Sequence, residues 1–189
     1  MEKYKTVLTE IGERLQLVRQ LLDQPVTRVE WIAVELRIVL ELIVLGSLVT
    51  NRNAISKVSS VFKVTDVTEA RKLVREVNPG YWPTQLASGP RDDDGALTAQ
   101  PFEGDFLREN EWGRDYGFLC ELVHAGHPYA EPRGLASIVE RLRSLLYRIA
   151  ILLRQHAIVL AGNQDAYLGQ LDIDGGEVLV AVLRRPENS

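Results

Sequence analysis

The sequence predicts a mainly α protein, an up-and-down helical bundle with a C-terminal β-hairpin, and three observations carry that prediction. Apolar residues recur at helical spacing through most of the chain. The longest helix-like stretch carries a heptad-like apolar stripe. Alternation of the strand type is read only beyond residue 165. With 189 residues, 46% of them hydrophobic and 25% charged, the chain has material for one domain, 1–189, around one core.

Val7, Ile11, Leu15, Val18 and Leu22 make a first helix over about 3–23, and Pro25 closes it. A second helix runs from about 27 to 51. Thr27 is followed three positions on by Glu30 in the capping-box pattern. This helix is apolar almost all round, so it is expected at the centre of the bundle. A connecting segment at 53–62 leads to a short helix near 66–77, with Thr65 or Asp66 as its cap and Asn78-Pro79-Gly80 as its stop.

Residues 78–103, rich in Pro, Gly and Asp, read as a long loop. Tyr81, Trp82 and Phe102 dock its ends, while Asp92-Asp93-Asp94 forms a solvated tip. One or two helices follow over 103–125, before the break at Gly126-His127-Pro128. The longest helix is expected from about 134 to 161. Ile138, Leu142, Leu145, Ile149, Leu152 and Val159 stripe it, and Gly162-Asn163 ends it. Alternating segments at 167–173 and 177–183 flank Asp174-Gly175-Gly176, so a hairpin is expected over 165–184.

A net charge of −4 excludes attachment to nucleic acid by bulk charge alone. Cys120 is the single cysteine, which rules out an internal disulfide and suits a reducing, cytoplasmic setting. The N-terminal residues are charged and amphipathic, unlike a signal peptide. The most membrane-like stretch, 31–49, carries Glu35, Arg37 and Glu41, each costly in lipid, so a buried bundle helix is expected there and no membrane partner.

The densest polar group lies on the helix ending near 125. Arg114, Gly117, Glu121 and His124 fall within about 80° of one another on a helical wheel. In one reading His124 is a general acid or base, Glu121 orients it and Arg114 binds an anion. In the other, the same side chains form a polar network that pins two helices, with His124 against the helix dipole. Cys120, His124 and His127 offer a weaker zinc reading, and neither a metal nor another cofactor is expected.

His156 sits on the apolar stripe of the long helix, either as a core residue with one hydrogen bond or facing His124 across the bundle. Glu30, Arg37 and Glu41 share one face of the central helix, and buried charges of this kind must be paired or line a polar cleft. Arg143 and Arg154 point away from Arg141 and Arg148. All four read as a solvated rim, with Arg141 and Arg148 the pair suited to a phosphate.

The segment Tyr116-Gly-Phe-Leu-Cys-Glu-Leu-Val-His124 resembles a signature of uncharacterised prokaryotic proteins of the HEPN-like kind. Glu35-Leu-Arg-Ile-Val-Leu-Glu-Leu-Ile43 is similar to the Arg- and Glu-bearing central helix of that group, and Leu-Leu-Arg-Gln-His156 adds to the likeness. The resemblance implies an up-and-down helical bundle that dimerises, linked to toxin–antitoxin or antiviral defence. It also implies that active members cut RNA without metal. Those members place four to six residues between Arg and His, whereas Arg114 precedes His124 by ten positions and Arg148 precedes His156 by eight. Three functions are therefore weighed for a homodimer of this chain: action on RNA through His124, Arg114 and Glu121, non-catalytic binding of a protein partner, or small-molecule or metal binding through Cys120, His124 and His127. Arg37, Glu41 and His156 are its candidate binding residues.

Overall fold

The structure, a computed structural model, describes residues 1–24, 28–52, 66–91, 97–124, 134–162 and 165–183. Among them are five helices: α1 (Glu2–Leu22), α2 (Val29–Thr50), α3 (Val67–Val77), α4 (Glu109–Val123) and α5 (Leu135–Arg154). Five strands accompany them: β1 (Thr84–Arg91), β2 (Leu97–Pro101), β3 (Gln155–Val159), β4 (Ala166–Leu171) and β5 (Val178–Leu183). The strands form one antiparallel sheet in the order β2-β1-β3-β4-β5. The protein is mainly α, as expected, with a larger sheet than the sequence suggests.

Helix α1 buries Tyr4, Leu8, Ile11, Leu15, Val18 and Leu22, a seam of alternating four- and three-residue steps. That seam faces α2, the central element, which packs on α1, α3, α4 and α5. Its all-round apolar surface follows from those four neighbours. Asp66 caps α3, its carboxylate accepting from the Thr68 N–H at 2.7 Å and from the Glu69 N–H at 3.4 Å. The expected cap at Thr27, the connection at 53–62, the Thr65 alternative and the Asp92–Asp94 tip all lie outside the described residues.

Two expectations are corrected. The stretch 78–103 is not a long loop, because β1 and β2 pair across it and β1 also pairs with β3 through Thr84↔Ala157 and Gln85↔His156. Gly89-Pro90 falls where the β1–β2 register shifts, the kind of irregular position a strand proline tolerates. Tyr81 and Trp82 are buried ahead of β1, and the Trp82 indole N–H donates to the Leu107 carbonyl at 3.3 Å.

The long helix does not run to 161. It stops at Arg154 and the chain passes directly into β3, where His156 and Ile158 are buried between more accessible neighbours. His156 therefore belongs to the sheet. The C-terminal hairpin exists as β4–β5, its turn held by Gly176 at φ +68° and by the Gly176 N–H bonded to the Asp172 carbonyl at 2.8 Å. It continues the sheet as its outer two strands.

His156 joins the two halves of the fold. Its Nδ1–H donates to the Leu153 carbonyl at 3.1 Å, satisfying one of the free carbonyls at the end of α5. That leaves Nε2 as an acceptor for the Tyr4 hydroxyl of α1 at 2.5 Å. The Tyr4 ring also meets the imidazole edge-on and stacks on Tyr167 of β4. Burial pushes the Tyr4 hydroxyl up and lowers His156 to about 4, against the opposing effect of the Leu153 carbonyl. The imidazole is thus neutral in the folded protein.

The sign of its effect on stability follows. An unfolded histidine titrates near 6.5, so between about 6.5 and 4 the unfolded chain takes up a proton that the fold does not. Stability is expected to fall as pH drops through this window, by roughly 3 kcal/mol in all. Denaturant midpoints against pH check it, and His156→Gln should flatten the dependence. Gly169 lies directly opposite His156 on β4, and a Cβ there would stand 2.5 Å from the imidazole. Gly169→Ala should therefore cost about 1–3 kcal/mol, read by thermal melting.

Candidate functional site

Asp115 on α4 is the charge centre of the interior. Arg148 reaches it from α5, its Nη2 donating to Oδ2 at 2.6 Å while Nη1 donates to Glu111 at 3.1 Å. Both partners of the shorter bond are buried, with side chains 9% and 3% exposed. Arg114 and Arg141 add longer contacts to Asp115 at 3.2 and 3.4 Å. Arg141 also lies over the Phe118 ring at 3.7 Å. Burial alone would raise the Asp115 carboxyl, but the hydrogen bonds from Arg114 and Arg148 outweigh it and hold it below the ordinary value. Arg148, one of the two arginines suited by sequence to a phosphate, is thus committed inside the protein.

Arg114 is 60% exposed and bonded to Asp115 and Glu111. His124 is the exposed C-cap of α4, its backbone N–H bonded to the Cys120 carbonyl. Ten helical positions separate the two residues, about 15 Å along the axis. That separation does not bring them to one reaction centre. Glu121 is exposed on the same helix. Cys120 is half-buried, His127 lies outside the described residues, and among the described residues no three His, Cys, Asp or Glu side chains gather to hold a metal.

On α2 the expected pairing forms: Arg37 lies 3.5 Å from Glu41, whose carboxylate accepts the Tyr116 hydroxyl of α4 at 2.9 Å. The Arg37–Glu41 contact is within ion-pair range but does not make a hydrogen bond, which leaves Arg37 Nε buried without one. Burial, reinforced by the Glu41 bond, pushes the Tyr116 hydroxyl up. Glu30 stands exposed. His156 sits in the sheet core and does not join His124.

An open concavity among the described residues lies elsewhere, between the C-terminal half of α1, the outer face of α5 and the β4–β5 turn. It measures about 660 Å³. Arg143, Tyr147, Ala150 and Arg154 form one wall at spacings of four, three and four, a single row along α5. Leu15, Arg19 and Leu22 of α1 face them, and Asp172 to Asp174 close one end. The sequence places Arg143 and Arg154 away from Arg141 and Arg148, but nothing in it marks them as the lining of a groove. Asp115 and Glu111 were not singled out by sequence either, because their partner Arg148 is 33 positions from Asp115.

No family model, curated protein or solved structure matches this chain.

The Asp115 network makes a graded prediction. Arg148→Ala leaves a buried carboxylate without its shortest partner and should cost about 3–5 kcal/mol. Arg114→Ala removes a largely exposed, solvent-screened contact and should cost no more than about 1 kcal/mol. Urea unfolding of the two variants checks the ratio.

Proposed function

We propose that this protein is a non-catalytic interaction module that pairs with a second copy of itself through the free edge of its sheet. One observation carries the reading. Strand β5 is an edge strand made of six consecutive apolar residues, Val178-Leu-Val-Ala-Val-Leu183. It contains no charge and no proline, the usual means by which proteins blunt an edge. Leu179, Val182 and Leu183 are 51%, 42% and 40% exposed. Backbone groups of β5 that are unpaired among the described residues, beside exposed apolar side chains, favour strand addition, and an uncharged strand meets its own copy in register without like-charge repulsion along its length.

The RNA-directed alternative, drawn from the HEPN-like resemblance, asks for an arginine and a histidine at one phosphate. The 15 Å or so between Arg114 and His124 along α4 gives that alternative less support than the bare edge gives to association. An up-and-down course of the helices and a cytoplasmic setting form part of the proposal. No helix among the described residues is long and apolar enough to cross a membrane.

Light scattering at micromolar concentration should return twice the 21.3 kDa chain mass. Ala181→Lys, on the exposed edge, should give a folded monomer with an unchanged far-UV spectrum. A monomeric wild type, or a dimeric lysine variant, would contradict the proposal.

A further inference from the structure

The groove between α1, α5 and the β4–β5 turn is lined by three arginines and three aspartates, Arg19, Arg143, Arg154, Asp23, Asp172 and Asp174. Four of these six charges answer one another. Arg19 pairs with Asp174, and Arg143 bonds the Leu22 carbonyl at 2.5 Å and lies 3.5 Å from Asp23. One cation and one anion remain. Arg154 has no ion-pair or hydrogen-bond partner among the described residues. Asp172 uses Oδ1 to accept the Asp174 N–H at 3.0 Å and has no cation on it among the described residues. Although they line the same cavity, the two residues do not pair with each other.

Apart from Gln170, the rest of the wall is apolar or aromatic. Ala150 lies between Tyr147 and Arg154 on α5, and its small side chain opens the row where a ligand body can enter. Tyr147 is 58% exposed, an amphipathic ring facing solvent at the groove. Leu146 and Leu171 supply further apolar lining. The end of the groove is held to α1 by Gln16, whose amide donates to the Ile173 carbonyl at 2.8 Å. A preformed cavity of this size, with apolar and aromatic side chains set between charged ones, can hold a small molecule.

From this residual charge pattern we infer that the groove binds a small zwitterion with an apolar or aromatic body. Its carboxylate meets Arg154, its ammonium meets Asp172, and its body lies against Tyr147 and Ala150. The chemistry is that of a large apolar amino acid or of a short peptide with both termini free. The inference is independent of self-association through β5.

NMR titration of the full-length protein tests it with four probes. L-phenylalanine and the tripeptide Leu-Phe-Leu carry both charges, 3-phenylpropionate only the acid, and phenethylamine only the amine. At least one zwitterion should bind saturably and shift the amides of residues 143–154 and 170–174. Each singly charged analogue of phenylalanine should bind at least about tenfold more weakly than the better zwitterion, the worth of one charge-assisted hydrogen bond. Whichever of amino acid and tripeptide binds more tightly identifies the source.

Arg154→Gln should weaken the zwitterion to the level of the amine alone. Asp172→Asn, which keeps the Asx turn, should weaken it to the level of the acid alone. No saturation by either zwitterion, or equal affinity for a singly charged analogue, would overturn the inference. So would unchanged affinity in both variants with melting temperatures preserved. The analogue series on the wild type decides the matter even where a variant is destabilised.

Discussion

The fold depends on the hydrogen bond between the Tyr4 hydroxyl and the His156 imidazole. It forms where α5 gives way to β3, so one neutral ring ends a helix, starts a strand and anchors the first turn of α1. Its position in the register follows. Gln85 lies opposite it on β1 and Gly169 on β4, which places β3 in the middle of the sheet. Gly169 is required there because no side chain fits above the imidazole. Because α1 is fixed by Tyr4 at one end and by Gln16 on Ile173 towards the other, the groove between α1 and α5 has a defined shape.

Burial also decides which charges remain available. Asp115 sits where α4 faces α5, and in that buried position its charge is sustained above all by Arg148, which is then unavailable to a ligand. The α2 stripe behaves alike, with Glu41 shared between Arg37 and Tyr116. The polar side chains on the outer face of α5 and the backbone of the sheet edge lie outside that interior network. Binding at these two places is compatible with the interior network, because neither borrows a side chain from it.

The sequence makes the helices legible because their apolar positions repeat over three turns or more, and α1, α2 and α3 lie close to the expected spans. The end of α5 is different. Leu152, His156 and Val159 satisfy a helical stripe, while His156 and Ile158 satisfy a strand equally well, and five residues are too few for periodicity to choose. Pairing with β1 and β4 chooses instead, which is a contact across distant sequence. The β1–β2 hairpin was hidden by Gly89-Pro90 and Asp92-Asp93-Asp94-Gly95, residues that elsewhere mark loops. At the candidate site, a helical wheel carries no axial distance, and His124 falls at the extended C-cap of α4. The roles of Arg148 and Arg154 depended on which side of α5 faces α4. That is tertiary information.

The measurement closest to the centre of this account is the imidazole of His156 seen by nitrogen NMR. The account predicts a neutral ring with its proton on Nδ1, an unprotonated Nε2 shifted by the Tyr4 hydroxyl, and no titration between pH 8 and about 5. A ring that titrates near 6.5, as an exposed histidine does, would contradict it, and with it the junction that orders the sheet, α1 and the groove.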